Sequence, residues 1–143
     1  MHQVQYVVRA TIDDVVQLTK TLKLLMPLRL SQEEAYGIEL GLAEILTNIV
    51  KHGYGAHDNG SITLCWKELK SSLQIEIVDT GLPIPPHLLD RESSQAFDFD
   101  PHDLAGLPES GFGLALVKMV FDTVAYASLN GENRMRLQRA LPQ

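Results

Sequence analysis

Residues Ala43–Gly55 read AEILTNIVKHGYG, and the periodicity of this stretch decides where the rest of the chain belongs. Its apolar members continue a stripe begun upstream. Ala35, Ile38, Leu42, Ile45 and Ile49 recur at spacings of three and four, which puts them on one face of a helix. Ser31 and Glu34 form a capping-box pair that opens this helix, and it ends near Gly53. Beside the stripe runs a polar column, Glu44, Asn48 and His52, with Lys51 one turn beyond Asn48. Asparagine is a poor helix-interior residue, because its amide competes with the backbone for hydrogen bonds. A carboxylate and an amide oxygen one turn apart suit a hard cation that keeps several waters, as Mg²⁺ does. The alternative is a solvated edge where Glu44 pairs with Lys51 or His52, worth roughly a few tenths of a kcal/mol. Gly37 and Gly41 lie on the same helix, each costing up to about 1 kcal/mol relative to alanine. They imply close approach by a ligand or by another packed segment.

The chain has 143 residues, 45% hydrophobic and 21% charged, which fits one domain able to bury a core. Its net charge of −6 repels phosphate backbones, and no basic patch offsets it, so no direct nucleic-acid contact is expected. Arg134, Arg136 and Arg139 fall at spaced positions of an apparent strand and read as its solvated face. A single cysteine, Cys65, forms no internal disulfide and reads as a small buried hydrophobe. The opening residues MHQVQYVVRATIDD lack a signal-peptide run and no stretch approaches a membrane span, so a cytoplasmic location without membrane contact is expected.

Working outward, residues 3–9 alternate as a strand, and Thr11 with Asp14 caps a helix expected to run to about Leu28, weakening near Pro27. After HDNGSITL come strands over Ser61–Leu69 and Leu73–Asp79, linked by Lys70, Ser71 and Ser72. Residues 80–110 hold five of the seven prolines, and so long an irregular connection reads as a functional lid or a disordered segment. A helix from about Gly111 to Asp122 turns Leu114, Val117, Val120 and Phe121 inward. Strands over 123–129 and 134–141 close the chain around the tight turn NGEN. Three helices and five strands make one α+β layer sandwich.

Two further segments carry glycines. IEIVDTGLPIP puts Asp79 at the end of an apolar strand, followed by Gly81. That carboxylate either accepts a hydrogen bond from a base amino group or caps a turn. PESGFGLALVKMV places Gly111 and Gly113 at a helix start, where unhindered N–H groups favour phosphate. Leu116 stands in the third glycine's place of a dinucleotide fingerprint, and no Walker A lysine motif occurs. DFDPHDLAGLPE spaces Asp98, Asp100 and Glu109 like a calcium loop, but Asp103 occupies the obligatory glycine position and Pro101 stiffens it. It reads as an acidic lid instead.

In order, E-x-x-x-N-x-x-K-H on a helix, D-x-G-x-P after a strand and G-F-G-L opening a later helix resemble the Bergerat, or GHKL, ATP-binding fold. Within it the chain looks most like the anti-sigma factor serine/threonine kinases, through GLAEILTNIVKHGYG, VDTGLPIPP, DLAGLPESGFGLALVKMVFDTVAY and NRMRL. The resemblance implies a two-layer α/β sandwich of the Bergerat type. It would have a mixed, mostly antiparallel sheet with about three helices on one face, a single domain over 1–143 and an ATP lid over 82–110. It further implies ATP and Mg²⁺ as cofactors. Asn48 would coordinate the metal, and Glu44 would be the catalytic base orienting a protein hydroxyl. Asp79 would accept from the adenine amino group while Gly81 leaves room for the base. Lys51 would contact phosphate, and His52 ends the same turn. Gly111, Phe112, Gly113 and Leu114, the G-F-G-L box, would close on the phosphates. The implied partners are a STAS-type antagonist, phosphorylated on serine or threonine, and a sigma factor, with a homodimer formed through a face away from the nucleotide. The rival expectation is a non-catalytic ATP-gated binding module. Two departures bear on nucleotide affinity: Ile84 and Pro85 replace the usual aromatic and acid, and no threonine stands in NRMRLQ.

Overall fold

The computed structural model describes residues 2–55, 60–85 and 112–143. Strand β1 (His2–Arg9) leads into helix α1 (Ile12–Leu24) and helix α2 (Gln32–Asn48), which continues as a π-helical turn over Ile49–Gly53. Strands β2 (Ser61–Glu68) and β3 (Ser72–Asp79) follow, then helix α3 (Phe112–Val120) and strands β4 (Thr123–Leu129) and β5 (Glu132–Ala140). Both helix starts are those expected from the sequence. Thr11 accepts from the Asp14 amide at 3.1 Å. Ser31 and Glu34 close a reciprocal box at 3.0 and 3.2 Å. Helix α1 stops at Leu24, short of the expected Leu28, because Pro27 disfavours helical backbone in the residue before it.

The five strands form one sheet in the order β1-β2-β3-β5-β4. All four described ladders are antiparallel, so the α+β sandwich is as expected but without a parallel pair. Asn130 and Gly131 make the two-residue β4–β5 turn, with φ of 55° and 80°. That left-handed backbone is the one an Asn-Gly hairpin supplies.

Strand alternation decides the core. Ile62, Leu64, Trp66, Leu73, Ile75, Ile77, Met135 and Leu137 are each at most 2% exposed and share the inner face. Ile38, Leu42, Ile45 and Leu46 cover them from α2 and Ile49 from the π-helical turn, with Val117 from α3, Phe121 just beyond its end, and Leu18 and Leu22 from α1. Gly37 and Gly41 serve this packing. A Cβ on Gly37 would lie 3.4 Å from Val120, and one on Gly41 3.7 Å from Val117, so both glycines admit α3 rather than a ligand.

Two surface expectations change. Cys65 alternates with Leu64 and Trp66, so it faces the open side of the sheet, half-buried beside Gln5. Burial raises its thiol pKa, and the Glu76 carboxylate adds to that. Arg134 and Arg136 do lie on the open face, both paired with Glu76. Arg139 has the opposite parity: it turns to the helix side, pairs with Glu34 and donates to the Val120 carbonyl at 2.6 Å. Among the described residues no helix is long and apolar enough to cross a membrane.

Candidate functional site

Asp79 and Asn133 stand opposite each other in the β3–β5 ladder, and both point to the inner face, at 6% and 1% exposure. A polar pair at that depth requires partners. Asp79 Oδ1 accepts from the Gly81 amide at 2.9 Å and from Asn133 Nδ2 at 2.9 Å. Asn133 Nδ2 also donates to the Gly81 carbonyl at 2.8 Å, and Asn133 Oδ1 accepts from the Ser128 hydroxyl at 2.7 Å. The turn-capping and ligand-reading roles of Asp79 therefore do not compete, since the cap occupies Oδ1 and no described residue bonds Oδ2. Burial pushes the Asp79 carboxyl above the ordinary aspartate range, while the Asn133 amide and Gly81 N–H oppose the rise.

The loop after Asp79, opaque in the sequence, is pinned from three sides. Leu82 N donates to the Gly53 carbonyl at 2.7 Å, joining the π-helical turn to the loop. The Tyr54 hydroxyl accepts from Thr80 N and donates to the Ser61 carbonyl, both at 2.8 Å. Ile84 N donates to the Tyr126 hydroxyl at 2.9 Å. The Tyr54 ring occupies the space a Cβ on Gly60 would need, about 2.3 Å from its nearest atom. The first residues of the expected lid, 82–84, are thus bound into the fold.

On α2, Glu44 and Asn48 are half-buried one turn apart. Among the described residues neither has a hydrogen-bond or ion-pair partner, and Glu44 pairs with neither Lys51 nor His52. The π-helical turn then breaks the column. Its extra residue per turn rotates Lys51 and His52 off the α-helical register, and both are exposed. Gly111 lies outside the described residues, as does the side chain of Phe112, which with Gly113 opens α3. The Leu114 side chain is 5% exposed in the core. Among the described residues no cluster of three or more His, Cys, Asp or Glu side chains forms a metal cage.

Periodicity and motif spacing assign no role to Asn133, Tyr54 or Tyr126. Asn133 carries a usable signal: it continues the inward period of Met135 and Leu137, and a polar residue on a core period is anomalous. The tyrosines give no such signal, because their partners are backbone groups distant in the chain.

An inner-face carboxylate, a polar helix edge and a pinned loop between them sit on a five-stranded antiparallel sheet covered by helices, an architecture of the histidine kinase-like class. The chain belongs to the histidine kinase-like ATPase domain family, which matches residues 8–139. The Bergerat-type fold expected from the three boxes is therefore borne out. Among curated relatives, the serine-protein kinase RsbW of Oceanobacillus iheyensis is 27% identical over 94 residues, 66% of this chain and 58% of that protein. The serine-protein kinase RsbW of Bacillus cereus is 30% identical over 91 residues, 61% of this chain and 52% of that protein. The chain spans little more than half the length of these relatives. Among solved structures, the RsbU and RsbW domains of Rv1364c from Mycobacterium tuberculosis align with a TM-score of 0.66 at 16% identity, covering 99% of this chain and 33% of that one. The nucleotide-free catalytic domain of the histidine kinase ThkA aligns with a TM-score of 0.54 at 12% identity, covering 99% of each chain. At these identities the structures establish the fold alone.

Proposed function

We propose that the chain binds ATP with Mg²⁺ and acts as a protein serine/threonine kinase of the anti-sigma factor class. Its substrate would be a hydroxyl on a STAS-type antagonist, and its alternate partner a sigma factor. The family match and relatives named serine-protein kinases support this reading. One observation carries it. Glu44 and Asn48 are half-buried one turn apart, without a hydrogen-bond or ion-pair partner among the described residues, on the helix whose last turn is clamped to the Asp79 loop.

The roles rest on the chemistry of each group. Asp79 Oδ2 would accept from the exocyclic amino group of the base, beside a loop that Gly81, lacking a Cβ, lets close against Gly53. Asn48 would offer the metal one amide oxygen; with no carboxylate, thiol or imidazole cage among the described residues, it suits a cation that keeps most of its ligands from elsewhere, as Mg²⁺ does. When bound, the metal neutralises charge on the phosphate oxygens. Glu44 takes the proton of the attacking hydroxyl as its oxygen bonds to the terminal phosphorus and ADP departs. Lys51, exposed on the π-helical turn, and the G-F-G-L box of Gly111, Phe112, Gly113 and the Leu114 backbone would complete the phosphate end, with His52 flanking it. Assembly as a homodimer belongs to the same proposal.

The test is Glu44→Gln with radiolabelled ATP, Mg²⁺ and STAS proteins encoded nearby. The variant keeps ATP binding and loses transfer by at least about 100-fold. Normal transfer by the variant refutes the general-base role. Wild-type protein that binds ATP but phosphorylates none of them favours an ATP-gated binding module.

A further inference from the structure

Asn133 is among the most deeply buried polar side chains of the described residues, and every hydrogen-bonding group of its amide is in use. Its two N–H groups reach Asp79 Oδ1 and the Gly81 carbonyl, and its oxygen accepts from Ser128. With two acceptors on one side and a hydroxyl on the other, this network fixes which way round the amide lies. The consequence falls on Asp79. Oδ1 is held twice, by Gly81 N and by Asn133, which restrains the carboxylate from turning, and Oδ2 is left without a partner among the described residues.

We propose that Asn133 is the positioning residue that makes this site discriminate between 6-amino- and 6-oxopurines, by presenting Asp79 Oδ2 as a fixed acceptor. The inference rests on the ATP-binding reading above and gives a role to Asn133, which the motif NRMRL contains without assigning it one. An adenine amino group donates to a carboxylate oxygen. A hypoxanthine places a carbonyl oxygen at the same position, so two acceptors meet and neither is satisfied. This discrimination needs Asp79 both ionised and immobile. Burial opposes the first requirement, and the Asn133 hydrogen bond counters burial. Tyr126 is the neighbouring titratable group; its hydroxyl already accepts from Ile84 N, and its own pKa is raised, chiefly by burial. Without the amide, Asp79 keeps one bond. It is then free to rotate, or to hold a proton and donate it to a 6-oxo group.

The experiment measures equilibrium binding of MgATP and MgITP, which differ only at the 6-position edge of the base. Asn133→Leu preserves volume and removes both donors. Asn133→Ala, with room for a water, serves if the leucine variant does not fold. Asn133→Thr restores one donor. The wild type is expected to prefer ATP by about 100-fold, and the ratio to fall about tenfold in Asn133→Leu or Asn133→Ala. In Asn133→Thr it recovers at least in part. A role in packing alone weakens both nucleotides equally and leaves the ratio unchanged, which overturns the proposal while ATP binding stands. Wild-type protein that binds neither nucleotide overturns both.

Discussion

Gly53 and Gly81 meet backbone to backbone: a Cβ placed on Gly81 would lie 2.6 Å from the Gly53 carbonyl oxygen. The reverse is not true, since a Cβ on Gly53 would find its nearest neighbour at 3.6 Å. The asymmetry gives a paired prediction. Gly81→Ala must push the loop off the π-helical turn, because the obstacle is main chain and cannot swing aside. It is expected to destabilise the fold by about 1–3 kcal/mol and to weaken ATP binding. Gly53→Ala is expected to change stability by less than about 1 kcal/mol. Urea unfolding of both variants checks this; equal losses would show that the clasp is not the constraint.

Asp79 separates stability from function. Its folded pKa lies above the unfolded value because burial disfavours the charge. The folded state therefore binds the proton more tightly, so this group favours folding at low pH and that contribution is lost as pH rises through its raised pKa. Asp79→Asn removes the buried charge while its amide oxygen can still accept from Gly81 and Asn133. The variant is expected to be at least as stable as the wild type near neutral pH. Its binding of ATP falls by about 30-fold or more, since an amide N–H₂ then faces the base amino group. Urea midpoints and nucleotide titration on one preparation decide it. Lost stability together with retained ATP binding would contradict both halves.

Much of this was legible in the sequence, for definable reasons. The α2 stripe, its capping box and the Asn130–Gly131 turn each rest on local periodicity or backbone preference, and each forms where expected. What the sequence left out depends on geometry between distant elements. The π-helical turn leaves no residue signature in VKHGYG, because the hydrogen-bond shift arises where Gly53 must reach Leu82. The inward parity of Met135 and Leu137 extends to Asn133 and Arg139, but side-chain polarity argues for the outer face at both. Polarity misleads there because each side chain finds its partners inside, Asn133 at Asp79 and Arg139 at Glu34.

The Glu34–Arg139 pair ties the N-terminal cap of α2 to β5, and its pH dependence has the opposite sign to that of Asp79. The Ser31 backbone N–H and the Arg139 guanidinium hold the Glu34 carboxyl below its ordinary pKa of 4.5. A depressed folded pKa means stability that is complete above the unfolded value and is lost as pH falls through the folded one. Glu34→Gln keeps a side chain able to cap Ser31 N but removes the titrating charge. Urea midpoints taken at about pH 7 and about pH 4 should therefore converge more for the variant than for the wild type. An identical acid-induced loss in both proteins would assign that loss to other carboxylates.

Tyr54 and Tyr126 hold the two ends of one loop, at Thr80 and at Ile84, and this makes their energies interdependent. Each hydroxyl satisfies a backbone N–H, so Tyr54→Phe and Tyr126→Phe should each cost about 1 kcal/mol. With one end released, Asn133 and Gly53 still anchor the middle at Gly81 and Leu82, and the loop keeps most of its form. With both released, the segment can leave the π-helical turn altogether. The double variant is then expected to lose more ATP affinity than the two single losses combined, by a coupling of about 0.5–1 kcal/mol. A double-mutant cycle read by nucleotide titration measures this directly. Strict additivity would mean that the two ends move independently and that the loop from Asp79 onward does not act as one rigid body.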